Sequence, residues 1–270
     1  MGRTFLITGA NVGIGRVATE RLASEGGRVF LACRSREKAM PVVEGIRARG
    51  GSAEFLPLEL DDFASIRACA KAFLDRGEPL HVLVNNAGIA GPRGLTKQGF
   101  ELTVGTNHLG PFLLTQLLLP KLAEAEDPRV VNVASASHYQ AKAIDWDDFK
   151  RPTSFTALPE YAVSKLCNVL FTKELARRQE GKVRAFSLHP GTVATNIWSA
   201  RIPWGFRHLM KLFMTTEEDG AKTTVHCATS PDVRDGAYYT RSREKRPSRL
   251  AEDEALAKEL WRRSEEWVGP

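Results

Sequence analysis

Short apolar runs alternate along the chain with segments whose apolar residues recur at helical spacing. The runs are 3–8, 28–33, 53–58, 80–85, 129–135 and 182–188, each followed by polar or glycine-rich punctuation. Between them lie helical patterns such as Val17, Leu22 and Ala23, or Ile66, Ala70, Phe73 and Leu74. Strand–helix alternation of this kind predicts an α/β fold, a parallel sheet of about seven strands with helices on both faces. The run Ala237-Tyr238-Tyr239-Thr240 predicts an edge strand. The end, 250–267, carries Leu256, Leu260, Trp261 and Trp267 in an amphipathic helical pattern. The proline-containing stretch 151–159 reads as a loop entering a helix. No repeat or linker divides residues 1–270, so one domain is expected.

Composition narrows the class without naming it. The chain has 270 residues, 43% of them hydrophobic and 26% charged, enough to bury a core without disulfide or metal. A net charge of +6 concentrates partly in Arg241, Arg243, Lys245, Arg246 and Arg249, which reads as a solvated loop rather than a nucleic-acid surface. Cys33, Cys69, Cys167 and Cys227 are scattered through apolar segments, as expected of buried thiols in a reducing compartment, and no metal-ligand cluster is seen. The longest apolar stretch, about 109–119, is broken by Thr115 and Gln116 and is too short to span a bilayer. With no leader or anchor in view, a soluble cytoplasmic protein without nucleic-acid partner or metal is expected.

The chemistry starts at the first strand–helix turn, Thr8-Gly9-Ala10-Asn11-Val12-Gly13-Ile14-Gly15. Glycines there let backbone N–H groups approach a pyrophosphate at the helix N-terminus. The spacing TGxxxGxG resembles that of the short-chain dehydrogenase/reductase family, whose fold is a single-domain Rossmann-type doubly wound sheet. The resemblance implies a cofactor half of about 1–135 and a catalytic and substrate half of about 136–270. It also implies that Gly9, Asn11, Gly13, Ile14 and Gly15 cradle a dinucleotide.

The end of the second strand selects between NAD and NADP. A carboxylate there would accept from the adenosine ribose and repel a 2′-phosphate. This chain has Ala32-Cys33-Arg34-Ser35-Arg36 instead. The Arg34 guanidinium suits a phosphate, and Lys38 adds a second charge one turn later, so NADP(H) is expected. After the third strand, Glu59-Leu60 stands where the family usually has Asp and an apolar residue against the adenine. Asp61 or Asp62 reads as the cap of the next helix. Asn85-Asn86-Ala87-Gly88 matches the family's NNAG: the first Asn fixes the central sheet, while Asn86, Ala87 and Gly88 lie beside the adenine ribose.

The catalytic end is carried by Tyr161-Ala162-Val163-Ser164-Lys165, the family's YxxxK, on a helix predicted to reach about Arg178. The i, i+4 spacing puts phenol and ammonium on one face, and the lysine charge is expected to lower the tyrosine pKa. A tyrosine so placed can exchange a proton with a carbonyl or alcohol oxygen. The resemblance implies that Lys165 also holds the nicotinamide ribose. It implies a catalytic serine at the fifth strand's end, where Ser135 is the better match and Ser137 the competitor. His138 matches a histidine common among retinol-dehydrogenase-like members and reads as structural or pocket-lining, not as a base. Asn107 matches the helix asparagine that completes the tetrad; an amide mid-helix invites a local distortion and an ordered water. His108 reads as packing. Pro190, Gly191, Val193 and Thr195, in His189-Pro190-Gly191-Thr192-Val193-Ala194-Thr195, resemble the segment that contacts the nicotinamide.

The segment after the sixth strand carries Ile197, Trp198, Ile202, Trp204, Phe206 and Met210 among other large apolar residues, predicting a greasy pocket or lid. Leu31-Ala32-Cys33-Arg34 and Lys165-Leu166-Cys167-Asn168-Val169-Leu170-Phe171 resemble the retinol dehydrogenase-like branch. Animal members of that branch usually carry an N-terminal membrane anchor, which this sequence does not show. The expectation is therefore an NADP(H)-dependent oxidoreductase interconverting a lipophilic alcohol and its aldehyde or ketone, broader than retinoids alone. The alternative is an NADP(H)-binding redox-sensing regulator with little turnover. Family resemblance implies a homodimer or homotetramer built through the helices bearing Asn107 and Tyr161.

Overall fold

The structure, a computed structural model, describes residues 2–191 and 216–269. The strands are β1 (Thr4–Thr8), β2 (Arg28–Cys33), β3 (Ser52–Pro57), β4 (Val82–Asn85), β5 (Arg129–Val133), β6 (Arg184–His189), β7 (Tyr238–Thr240) and β8 (Arg243–Glu244). They form one sheet in the order β3-β2-β1-β4-β5-β6-β7-β8. The first seven run parallel and only β8 returns antiparallel, pairing with β7. Two details differ from the sequence reading. The described sheet has eight strands rather than about seven, and β7 is not its edge. Arg241 and Ser242, with φ of 50° and 56°, reverse the chain so that β8 covers it.

The helices are α1 (Gly13–Ser24), α2 (Arg36–Ala48), α3 (Phe63–Leu74), the single turn α4 (Leu102–Val104), α5 (Gly110–Leu122), α6 (Leu158–Gln179), α7 (Glu217–Thr229) and α8 (Glu254–Val268). Between α4 and α5 the backbone widens into a π turn, Gly105–Leu109. Side chains alternate across each strand, so both faces of the sheet need apolar cover. Leu6, Phe30, Leu83 and Val130 pack under α3, α5 and α6. Phe5, Ile7, Val29, Leu31 and Val131 pack under α1, α2 and α7. The order reverses at β1 and β4, and in such sheets ligands bind beyond the strand C-termini at that crevice.

Local chemistry sets the helix starts. Ser35 caps α2 by accepting from Lys38 N at 3.2 Å, and of the two candidate aspartates it is Asp62 that caps α3. The terminal segment read as one helix begins with a 3-10 turn, Arg249–Glu252. α8 starts after it because Asp253 accepts from Leu256 N at 2.9 Å. α8 lies over α5 and α6: the Trp261 ring stands edge-on to Phe112 at 5.1 Å and is 5.7 Å from Phe171. All four cysteines are free and buried. Among the described residues no helix is long and apolar enough to cross a membrane.

Trp261 is 4% exposed, and its truncation would leave a void between three helices. Trp261→Ala is expected to lower stability by about 3–5 kcal/mol in chemical denaturation; a loss under about 1 kcal/mol would show that α8 adds little. His108 is also fully buried, with Nε2 2.9 Å from the Ser264 hydroxyl, and burial holds its pKa down at about 3. The unfolded chain protonates the same ring near pH 6.5, so between about pH 6.5 and 3 the unfolded state binds the extra proton. Stability should therefore fall as pH drops through that window and be unaffected by this ring above it. His108→Gln should flatten the acid limb of stability against pH, and an unchanged limb would exclude His108 as its source.

Candidate active site

Parallel strands deliver their C-terminal ends to one side of the sheet, and the predicted site residues gather there. The turn after β1 is tight: Gly9 and Gly13 have φ of 64° and 57°, in the left-handed region glycine favours. A Cβ on Gly15 would lie 2.4 Å from both Asn86 Nδ2 and the Gly9 carbonyl, so only glycine lets α1 start this close. The N-cap of α1 is Val12, with no side-chain cap and no acidic residue in the first turn. The leading N–H groups of α1 are thus not taken up by a capping side chain, and this donor set fits an anionic pyrophosphate.

The end of β4 is tied to this turn. Thr8 Oγ1 accepts from the N–H groups of Asn86 and Ala87 at 3.0 and 2.9 Å, and Asn86 Nδ2 donates to the Thr8 carbonyl at 2.8 Å. Asn85 donates to Thr115 Oγ1 and to Asn132 Oδ1, and Asn132 donates to Thr172. A buried polar chain thereby joins β4 and β5 to α5 and α6, the sheet-fixing role read for the first Asn of the motif. Arg34, just past β2, is exposed and makes no ion pair among the described residues, and Lys38 is exposed on the first turn of α2. Glu59 lies 3.8 Å from Lys97, while its backbone N–H is taken by Ser65 Oγ; Leu60 is buried against Gly110.

The expected distortion around Asn107 is the π turn. Its extra residue frees a buried amide side chain to turn inward. Asn107 Oδ1 accepts from Ile89 N at 2.8 Å, and Nδ2 donates to the Ile89 carbonyl at 2.9 Å and to Ser164 Oγ at 3.0 Å. The loop after β4 is in this way pinned to α6 one residue from Lys165. Lys165 is 4% exposed and its Nζ donates to the Val133 carbonyl at 2.9 Å. A Cβ on Gly88 would come 3.1 Å from Asn107 Oδ1 and 3.3 Å from Lys165 Nζ, so these three positions share one small space.

Tyr161 is hydrogen-bonded to the Ser135 side chain, and Ser135 to Ser137, Oγ to Oγ at 3.2 Å. Burial raises the Tyr161 pKa, with the Ser135 hydrogen bond pulling the other way. The expectation that Lys165 lowers it is not met. Desolvation disfavours the charged form of both partners, and it holds Lys165 down at about 8. The ammonium sits 5.6 Å from the Tyr161 ring centroid. Pro190 and Gly191 follow β6 at the same end of the sheet, Gly191 with φ of 99°. Val193, Thr195 and the apolar segment 197–214 lie outside the described residues.

Four participants escaped the sequence reading: the Thr8 hydroxyl, the Ser164 hydroxyl, and the backbone groups of Ile89 and Val133. Thr8 and Ser164 stood inside the quoted motifs, so their polar side chains were the available signal. The two backbone groups had none, since any residue carries them.

The model of the family described as short chain dehydrogenase matches residues 3–204. Human retinol dehydrogenase 11 is 41% identical over 268 residues, covering 96% of this chain and 84% of its own length. Human retinol dehydrogenase 12 is 39% identical over 276 residues, covering 99% and 87%. Among solved structures, an uncharacterised protein from Mycobacterium paratuberculosis superposes with a TM-score of 0.80 at 35% identity, covering 98% of this chain and 93% of that one. A metagenomic short-chain oxidoreductase in complex with NADP gives a TM-score of 0.65 at 26% identity, covering 87% and 94%.

Asn107→Ala removes three hydrogen bonds and leaves the Ile89 N–H and carbonyl without their side-chain partner. Each such orphan costs roughly 1–3 kcal/mol, so stability should drop measurably in denaturant titration. Protection of the Ile89 amide in hydrogen exchange should fall with it. Unchanged protection would mean that this contact does not hold the loop.

Proposed function

The chain belongs to the short-chain dehydrogenase family, and on that premise we propose that it is an NADP(H)-dependent oxidoreductase reducing lipophilic aldehydes or ketones, or running the reverse. The observation that carries the reading is the convergence of Tyr161, Ser135, Lys165 and Asn107 beside an uncapped glycine turn. No feature of the site favours the regulatory alternative.

When bound, NADPH supplies the hydride. Gly9, Asn11, Gly13, Ile14 and Gly15 would hold its pyrophosphate, and Asn86, Ala87 and Gly88 the adenosine side. Glu59 and Leu60 would lie against the adenine, and Pro190, Gly191, Val193 and Thr195 against the nicotinamide. Arg34, exposed and without an ion-pair partner among the described residues, would take the 2′-phosphate with help from Lys38. The NADP-bound state of one solved relative is consistent with that choice.

The chain's own groups handle the oxygen and the proton. Ser135 orients and polarises the substrate carbonyl. Tyr161, kept protonated at neutral pH by its raised pKa, donates to the developing alkoxide. Lys165, with a pKa of about 8, is matched to returning that proton near neutral pH, and Asn107 holds the loop that shapes the relay. An apolar substrate is favoured by the large hydrophobic residues after β6 and by the retinol dehydrogenases among the relatives. The free buried thiols suit the reducing cytoplasm.

The test is NADPH oxidation against aldehydes and ketones graded by chain length, retinal included, with NADH in parallel. Turnover should favour NADPH and the longer apolar carbonyls. Tyr161→Phe should lose at least about a hundredfold in kcat. Arg34→Glu should weaken use of NADPH by at least about tenfold relative to NADH. Preference for NADH in the wild type would remove the role given to Arg34, and full activity in Tyr161→Phe would remove the mechanism.

A further inference from the structure

His138 is fully buried in the 3-10 turn Ala136–Gln140 that follows Ser135. Its ring lies between Tyr139, with centroids 4.1 Å apart, and Tyr238, at 4.8 Å. Nδ1 is 2.7 Å from the Ser135 carbonyl, and Nε2 is 3.1 Å from the Ser248 amide nitrogen. A backbone carbonyl can only accept and a backbone N–H can only donate. The ring must therefore be neutral, with its proton on Nδ1 and its lone pair on Nε2. Two main-chain groups far apart in sequence fix one tautomer of one side chain.

This matters because of what the Ser135 main chain carries. The Ser135 carbonyl accepts from His138 twice, through the backbone N–H at 3.2 Å and through Nδ1. Its Oγ accepts from Ser137 N at 3.2 Å and faces Tyr161. With the carbonyl held by His138 and the hydroxyl held by Ser137 N, the turn from which Oγ meets the phenol is restrained on both sides of Ser135. We infer that His138 is a positioning residue: it fixes the Ser135 hydroxyl through the Ser135 carbonyl and braces it against the segment before α8 through Ser248. The inference rests on the role proposed for Ser135.

The surroundings oppose a second proton on the ring. Burial lowers the His138 pKa, and Lys245 adds to the effect, its ammonium lying over the Tyr139 ring at 5.4 Å. His189 at the end of β6 interacts electrostatically with the same ring, and Tyr139 and Tyr238 meet it ring to ring, tilted and edge-on. Protonation would also point an N–H from Nε2 at the Ser248 N–H, donor against donor. The strut is thus built to stay neutral over the range in which an ordinary histidine titrates.

Two substitutions separate its two ends. The amide of asparagine reaches the Nδ1 position and keeps a donor to the Ser135 carbonyl; that of glutamine reaches the Nε2 position and keeps an acceptor for Ser248. With NADPH and the best carbonyl of the graded panel, H138Q should lose about tenfold or more in kcat through the misplaced hydroxyl. H138N should stay within about threefold of wild type, and KM for NADPH should change little in either. Nitrogen-15 NMR of the imidazole-labelled wild type needs no variant. It should show the Nδ1–H tautomer, uncharged through pH 6.5. Ser135→Ala runs alongside. If it is inactive while H138Q matches wild type, or if His138 titrates near 6.5 or carries its proton on Nε2, the positioning role is overturned and the role of Ser135 stands. If Ser135→Ala turns over like wild type, the role of Ser135 fails and the positioning role with it.

Discussion

A buried ammonium is the constraint around which this site is arranged. Lys165 is brought to the C-terminal edge of the sheet by α6, where only 4% of it reaches solvent. An unpaired charge there is costly, and the protein offsets it with the Val133 carbonyl at 2.9 Å and with a pKa held near 8. Leaving room for that ammonium fixes its neighbours. A side chain on Gly88 would crowd it, and Asn107, set on the π turn, reaches into the same space. The Asn107 amide then holds Ile89 on one side and Ser164 on the other. The ammonium, the glycine, the helix distortion and the pinned loop thus meet in one buried place.

The two ends of the molecule are joined through the sheet rather than through the site alone. Thr8 ties the glycine turn to Asn86 and Ala87, and the Asn85–Asn132–Thr172 chain ties that strand end to α6. The glycine turn and α6 are therefore joined by one polar seam, running along the strand ends where the order reverses. α8 closes the far side, packing Trp261 over α5 and α6.

Most of this arrangement is legible in the amino-acid sequence. Apolar runs read on both faces of seven strands, and the glycine spacing, Tyr161 with Lys165 and Asn107 are local patterns that declare themselves. The misses share a physical origin. β8 has two residues, too few for any periodicity, and left β7 looking like an edge. The Tyr161 pKa went the opposite way because burial is a property of the packed fold, whereas the lysine four residues on is visible in the sequence. The Val133 and Ile89 contacts use main-chain atoms that no side-chain identity announces. The helix over α5 and α6 was predicted, but not where it would lie.

The central proposal is that a carbonyl carbon takes the hydride of the nicotinamide while Tyr161 protonates the carbonyl oxygen. The most direct measurement uses NADPH deuterated at the transferable nicotinamide position, with retinal or a long-chain aldehyde as acceptor and mass spectrometry of the product alcohol. The account predicts one deuterium on the former carbonyl carbon and none on the hydroxyl after exchange in water. Product free of deuterium at that carbon, or cofactor consumed with no alcohol formed, would contradict it.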